Sequence, residues 1–131
     1  FYSNSFASDS PKDIVSRFCK MDFNGNRLAS ETYYEIAEIV SYPAEPGWDI
    51  AIGIHSYKIV SEKIEGNTAK VTVHYVIDRS WPSSFDNYKE YQEEVFLLNK
   101  VGGEWKTSMF ISYPRVSKSL LCLKYNYCSD R

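Results

Sequence analysis

The chain has 131 residues, with 15 Lys and Arg against 17 Asp and Glu and a formal net charge of −2. A hydrophobic share of 44% fits one globular domain and excludes wholesale disorder. The near-neutral balance lacks the basic footprint of a nucleic-acid binder, and no apolar run approaches the ~20 residues that a membrane-crossing helix needs.

Residues 1–9 read as a polar, flexible lead-in. Ser10-Pro11-Lys12-Asp13 then carries the signals of a helix start: a capping serine, proline at the first position, and an aspartate that bonds back and suits the positive end of the helix dipole. Ile14, Val15, Phe18 and Cys19 form one apolar stripe, which predicts a helix to about Asp22, stopped by Asn24-Gly25-Asn26. A second helix is expected over roughly residues 28–40, where Ala29, Tyr33, Ile36 and Val40 share a face and Glu31, Glu35 and Glu38 take the other side. Two prolines and a glycine make residues 41–49 a loop.

From residue 50 the period changes to two. Residues 50–64 are rich in Ile, Val and Tyr, and Glu65-Gly66-Asn67 turns the chain. Thr68 to Asp78 alternates cleanly, with Ala69, Val71, Val73, Tyr75 and Ile77 on one face, as in a half-buried antiparallel strand. A long loop over 79–87 precedes a strand from Tyr88 to Lys100. Gly102-Gly103 makes a hairpin, and Glu104 to Tyr113 returns before Pro114. Tyr91, Val95 and Leu97 alternate with Glu90, Gln92 and Glu94, and a solvated outer face accounts for those polar residues. In the tail, Leu120, Leu121 and Leu123 suit one short helix or strand. Helices before an antiparallel sheet define an α+β fold, with a single domain over 10–114 and a C-terminal tail, 115–131, packed on it.

Eleven Tyr, seven Phe and three Trp are many for this length. They fill a core or line a pocket. Tyr42-Pro43, Trp48 and Trp81-Pro82-Ser83-Ser84-Phe85 lie on loops, where binding residues concentrate. If both loops meet at one end they frame a ligand entrance; otherwise they plug it. An open pocket would be lined by Tyr33, Trp48, Tyr57, Tyr75, Trp81 and Trp105. Catalytic signals are sparse. Phosphate loop, dinucleotide fingerprint, His-Glu-x-x-His, Cys-x-x-Cys and Gly-x-Ser-x-Gly are all missing from the sequence, so neither cofactor nor metal is expected. Asp22-Phe23-Asn24-Gly25-Asn26 imitates a calcium loop, but the glycine is one place early and Tyr33 stands where glutamate is needed. His55 shares a face with Tyr57 and Ile59 if its strand alternates, as a general base or as a core histidine bonded to backbone. Asp49 follows Trp48; a carboxylate beside an indole in a dry mouth would titrate high and could move protons, while as a loop residue it caps a turn. His74 points away from Val73 and Tyr75, toward solvent or a partner.

Of the three cysteines, Cys19 falls on the first helix's apolar stripe as a buried free thiol, and Cys122 and Cys128, with five residues between them, can close a small disulfide loop. A start at Phe1 with Ser5-Phe6-Ala7 behind it is compatible with signal-peptide processing. With the tail cysteines this tilts the expectation toward a secreted or periplasmic protein over a cytoplasmic one.

The Ser10-Pro11-Lys12-Asp13-Ile14-Val15 helix followed by Asp22 and Gly25, the stretch Glu65-Gly66-Asn67-Thr68-Ala69-Lys70-Val71-Thr72-Val73, and the hairpin Lys100-Val101-Gly102-Gly103-Glu104-Trp105-Lys106 together resemble the nuclear-transport-factor-like superfamily, over about residues 10–113. The resemblance implies a cystatin-like cone, N-terminal helices held in a strongly curved antiparallel sheet of about four to six strands, with a pocket between them. It also implies frequent homodimers through the sheet's outer face, and members ranging from proteins without known activity to isomerases, dehydratases and epoxide hydrolases. Three functions are therefore open: a module binding a small apolar or aromatic molecule or a protein partner, an acid–base enzyme in the same pocket using Asp49 and His55, and a dimeric interaction module.

Overall fold

The computed structural model describes residues 9–41, 51–78, 91–108 and 113–125. Helix α1 (Pro11–Phe23) starts at the capping box expected of it: the Asp13 amide donates to Ser10 Oγ and the Ser10 amide to Asp13 Oδ2, both at 3.1 Å. Glu62 adds an acceptor from across the sheet, taking the Lys12 amide at 2.9 Å. The helix ends at Asn24, and Gly25 turns the chain at φ +86°, a conformation that costs a side-chain-bearing residue dearly. A 3-10 turn (Asn26–Leu28) leads into α2 (Ser30–Ala37). That helix is shorter than expected, because Ala29 is extended at its start; its Ile36 is fully buried.

Among the described residues five strands follow: β1 (Ile52–Glu65), β2 (Thr68–Ile77), β3 (Tyr91–Val101), β4 (Glu104–Thr107) and β5 (Arg115–Ser117). They form one sheet in the order β4-β3-β2-β1-β5. The first four are antiparallel neighbours, and β5 alone runs parallel, to β1. The return strand from Glu104 is described over four residues, Ser108 continues its pairing by donating its amide to Leu97 O at 2.8 Å, and residues 109–112 lie outside the described residues. The tail holds both a strand and a helix, α3 (Lys118–Tyr125). Register shifts between Ile54 and Ser56 and between Ile59 and Ser61 break β1, and such bulges bend a sheet. The sheet curls around α1, giving the α+β cone.

The core lies in that curl. Ile14, Val15, Phe18 and Cys19 of α1 meet Val71, Val73 and Tyr75 of β2 and Phe96 and Leu98 of β3. Phe18 and Phe96 meet edge to face, ring centres 5.4 Å apart. A separate small cluster, Ala51, Val116 and Leu121 with Leu28 and Leu120, seats the tail. Among the described residues no helix is long and apolar enough to cross a membrane.

The face assigned to β3 must be corrected. Val71 pairs with Phe96, Val73 with Glu94 and Tyr75 with Gln92, so Gln92, Glu94, Phe96 and Leu98 point into the cone while Tyr91, Val95 and Leu97 point out. Burying Phe96 and Leu98 fixes the register, and a period of two then carries Glu94 and Gln92 inward with them.

Candidate functional site

The polar residues that β3 turns inward do not stay alone. Arg115, at the start of β5 and buried, reaches across the concave face. Its Nε donates to Gln92 Oε1 at 2.8 Å and its Nη2 to Glu94 Oε1 at 2.7 Å. Its guanidinium carbon sits 4.5 Å from the centre of the Tyr75 ring, a cation stacked on an aromatic face. The Arg115 amide donates to Asp22 Oδ2 at 3.2 Å, and the same oxygen takes Arg27 Nη1 at 3.1 Å. Asp22 lies in the last turn of α1's apolar stripe, and Arg27 comes from the 3-10 turn, so five separate elements converge, with Tyr75 from β2. On the far side of Tyr75, its hydroxyl meets Cys19 Sγ at 3.7 Å.

Burial governs the titration of this group. It pushes the Asp22 carboxyl up to about 6, and the neighbouring Arg27 and Arg115 only partly pull it back. The Cys19 thiol is pushed up to about 12 by burial, with the Tyr75 hydrogen bond acting against that, so it stays an inert thiol. Tyr75 titrates well above an ordinary tyrosine, first from burial. Two buried atoms of the network, Asp22 Oδ1 and Arg115 Nη1, have no hydrogen-bond partner among the described residues. Such a network holds an acid of middling strength, a fixed cation and a spare donor and acceptor in a place that water does not reach.

The sequence-predicted residues are distributed as follows. Tyr57 and Tyr75 are direct partners across β1 and β2. Tyr57 is half-buried, edge-on to Phe23 at 5.5 Å between ring centres, and burial raises its hydroxyl's pKa. Tyr33 is half-buried against the main core from α2. Trp105 lies at the other end of the cone. Its strand partner Lys100 stands eight residues along β3 from Gln92, and the Lys100 ammonium lies 5.5 Å from the indole centre. Trp105 lines a cavity of about 150 Å³ together with Ile14, Arg17 and Ile39, and a second cavity of about 190 Å³ lies near Lys63, Lys70, Leu97 and Asn99. Neither of these two cavities is lined by Tyr33, Tyr57 or Tyr75.

His55 does not face inward: the bulge after Ile54 resets the alternation, and His55 stands half exposed with Nε2 3.9 Å from Asp78 Oδ1. His74 faces outward, as expected, and its Nε2 lies 2.9 Å from Glu93 Oε1. Asp49, Trp48, Trp81 and Cys128 lie outside the described residues. Cys19 is free and Cys122 is disulfide-bonded. Among the described residues no group of His, Cys, Asp and Glu is arranged to hold a metal ion.

Sequence reasoning passed over Asp22, Arg27, Gln92, Glu94 and Arg115. Asp22 had a visible signal, since it continues the stripe of Ile14, Phe18 and Cys19 with a carboxylate where an apolar residue would serve. Arg115 had none; it reaches Asp22 across 93 positions of sequence.

No family model matches the chain, and no curated protein matches it. A crystal structure from Campylobacter jejuni, named for an NTF2-like transpeptidase, is similar to it. The likeness covers 78% of this chain and 100% of that one at 15% sequence identity, with a TM-score of 0.43.

Proposed function

We propose that the protein is a binding domain for a small aromatic or apolar molecule, held at the end of the cone where Tyr57 and Phe23 are half exposed beside Tyr75 and Arg115. The observation that carries this reading is the buried network of Asp22, Arg27, Glu94 and Arg115. Removing charges from water costs more than their mutual attraction returns unless the geometry is very good, so apolar packing would stabilise the fold as well or better. Buried, perturbed charges on an otherwise apolar face therefore favour a site. The strand ends from which segments 42–50 and 79–90 depart, at Ala51, Asp78 and Tyr91, lie at this same end of the sheet. That supports including Trp48 and Trp81 in the site.

The same reading takes residues 10–114 as one domain with a tail that carries a Cys122–Cys128 bridge. The disulfide at Cys122 supports an exported protein, since such bonds persist in oxidising compartments. To test binding, substituted phenols and aromatic carboxamides are titrated into the protein while its amide resonances are followed. Saturable shifts clustered at Tyr57, Gln92 and Arg115, weakened at least tenfold in Tyr57→Ala, are expected. Saturable shifts confined to the outer sheet face would overturn the reading.

A second reading is favoured by one observation, the Asp22 carboxyl poised near 6. An acid–base enzyme of the isomerase or dehydratase kind would use Asp22 as its proton carrier, with Tyr57 or Tyr75 as donor. Activity in Asp22→Asn equal to that of the parent would exclude it.

A further inference from the structure

We propose that residues 115–125, β5 with α3, form a detachable strap whose Arg115 side chain plugs the polar end of the cone. The strap's attachment differs in kind from that of the rest of the sheet. Three residues of β5 pair with β1 in parallel, and among the described residues β5 is the outermost strand on that edge. Its apolar seat is the small cluster of Ala51, Val116 and Leu121, separate from the main core. The remaining side-chain ties among the described residues include Arg115 to Gln92, Glu94 and Asp22, its stacking on Tyr75, and Lys118 Nζ 3.4 Å from Asp78 Oδ2. No disulfide joins it to the body, because Cys19 is the one cysteine before the tail and it is free. Segments with few apolar contacts open locally, below the free energy of global unfolding. When β5 leaves, the guanidinium leaves the face of Tyr75, and the Tyr75 hydroxyl and the Cys19 thiol behind it become reachable.

The charges around Asp22 give the strap a pH dependence. Arg27 faces the carboxyl from the 3-10 turn, Arg115 from β5 with Glu94 behind it, Tyr75 from β2 and Cys19 from its own helix. With the strap in place burial raises the Asp22 pKa to about 6; with the strap away the carboxyl meets water and its pKa falls toward the ordinary 3.8. The closed form therefore holds the proton more tightly. Acid favours closure, and a rise of pH through 6 favours opening. The strap's purpose as a gate rests on the binding reading above, but its detachment is measured without any ligand.

The test is native-state hydrogen exchange on the oxidised parent protein, with alkylation of Cys19 as a second readout. Amides of Val116, Ser117 and Leu121 are expected to exchange roughly tenfold or more faster than those of Val71, Val73 and Phe96, after correction for intrinsic rates. The gap should widen from pH 5 to pH 7.5. Arg115→Gln should speed strap exchange and Cys19 alkylation while leaving the β2 and β3 amides protected, and Asp22→Asn should remove the pH dependence. Strap and sheet amides exchanging together at the global unfolding rate, with Cys19 alkylated only on that timescale, would overturn the proposal.

Discussion

Two ends of one concave surface can be compared here, because the same two strands build both. Toward the hairpin side, Ala69, Val71, Phe96 and Leu98 face Ile14, Val15 and Phe18 of α1 in a dry, closely packed layer. Further along the same strands, Tyr75, Gln92 and Glu94 occupy equivalent inward positions and face Asp22 and Arg115. The backbone geometry and the period of two are common to both ends. Only the side chains differ, and with them the balance of forces. The dry end gains from each methylene it removes from water, whereas the polar end must offset desolvation with each hydrogen bond it makes. One end holds the fold together, and the other keeps a buried acceptor and donor, Asp22 Oδ1 and Arg115 Nη1, without a partner among the described residues.

The largest expected effect belongs to the dry end. Phe96 is fully buried against Phe18, so Phe96→Ala should lose about 3–5 kcal/mol through lost transfer energy and the cavity left behind. Chemical denaturation measures it. At the polar end, replacing Arg115 and Glu94 together by Met and Leu should change stability by less than that, in either direction. A double variant as damaging as Phe96→Ala would erase the distinction between the ends.

Next comes the pH dependence of the polar end. The folded Asp22 pKa lies above the unfolded value of 3.8, at about 6. Its contribution is therefore fully present below about pH 4 and is lost as pH rises through 6. Against Asp22→Asn, which cannot titrate, the parent should lose about 2 kcal/mol between pH 4.5 and pH 7, since each pKa unit is worth about 1.4 kcal/mol. Urea midpoints at the two pH values check this. A constant difference between the two proteins would mean that Asp22 titrates as it does in water.

How far the two ends were legible in the sequence differs for the same reason. Local rules govern the dry end's framework: the capping box at Ser10 and Asp13, the turns at Gly66 and Gly102-Gly103, and the clean alternation from Thr68 to Ile77 all appear in the fold as written in the chain. Around the polar end, local rules misled. Gln92 and Glu94 looked like a solvated face, because nothing within several residues announces the arginine that meets them 23 and 21 positions later. His55 looked inward until a bulge, which no residue nearby requires, inverted it. A long-range ion network leaves only one trace in sequence, a charged residue in an apolar stripe, and Asp22 is that trace.

A smaller effect joins the polar end to the tail. A methyl group on Gly25 would stand 2.9 Å from Leu120 Cδ2, at a residue held at φ +86°. Gly25→Ala should cost about 1–2 kcal/mol from backbone conformation alone. The crowded Leu120 must also shift, so exchange at the neighbouring Leu121 amide should quicken while that of Val71 follows only the global loss. Equal acceleration at both amides would tie α3 to the main core.

The smallest effect sharpens the comparison from within the dry end. Thr107 of β4 is fully buried opposite Leu98, and its hydroxyl oxygen has no hydrogen-bond partner among the described residues. Its backbone is well bonded, donating to Ile39 O at 3.0 Å and accepting from Ser41 N at 2.8 Å. The hydroxyl alone is unpaired, a desolvated group with nothing to offset its loss of water. Valine keeps the branched shape and removes that group, so Thr107→Val should raise stability, by up to about 1 kcal/mol. The same logic fails at the polar end, where Asp22 and Arg115 each make other bonds that an apolar replacement would break. A stabilised Thr107→Val beside a destabilised Asp22→Leu would show that unpaired atoms are incidental at one end and part of a built network at the other. Loss of stability in Thr107→Val would mean instead that its hydroxyl contributes to the dry end, and the boundary between the two surfaces would have to move.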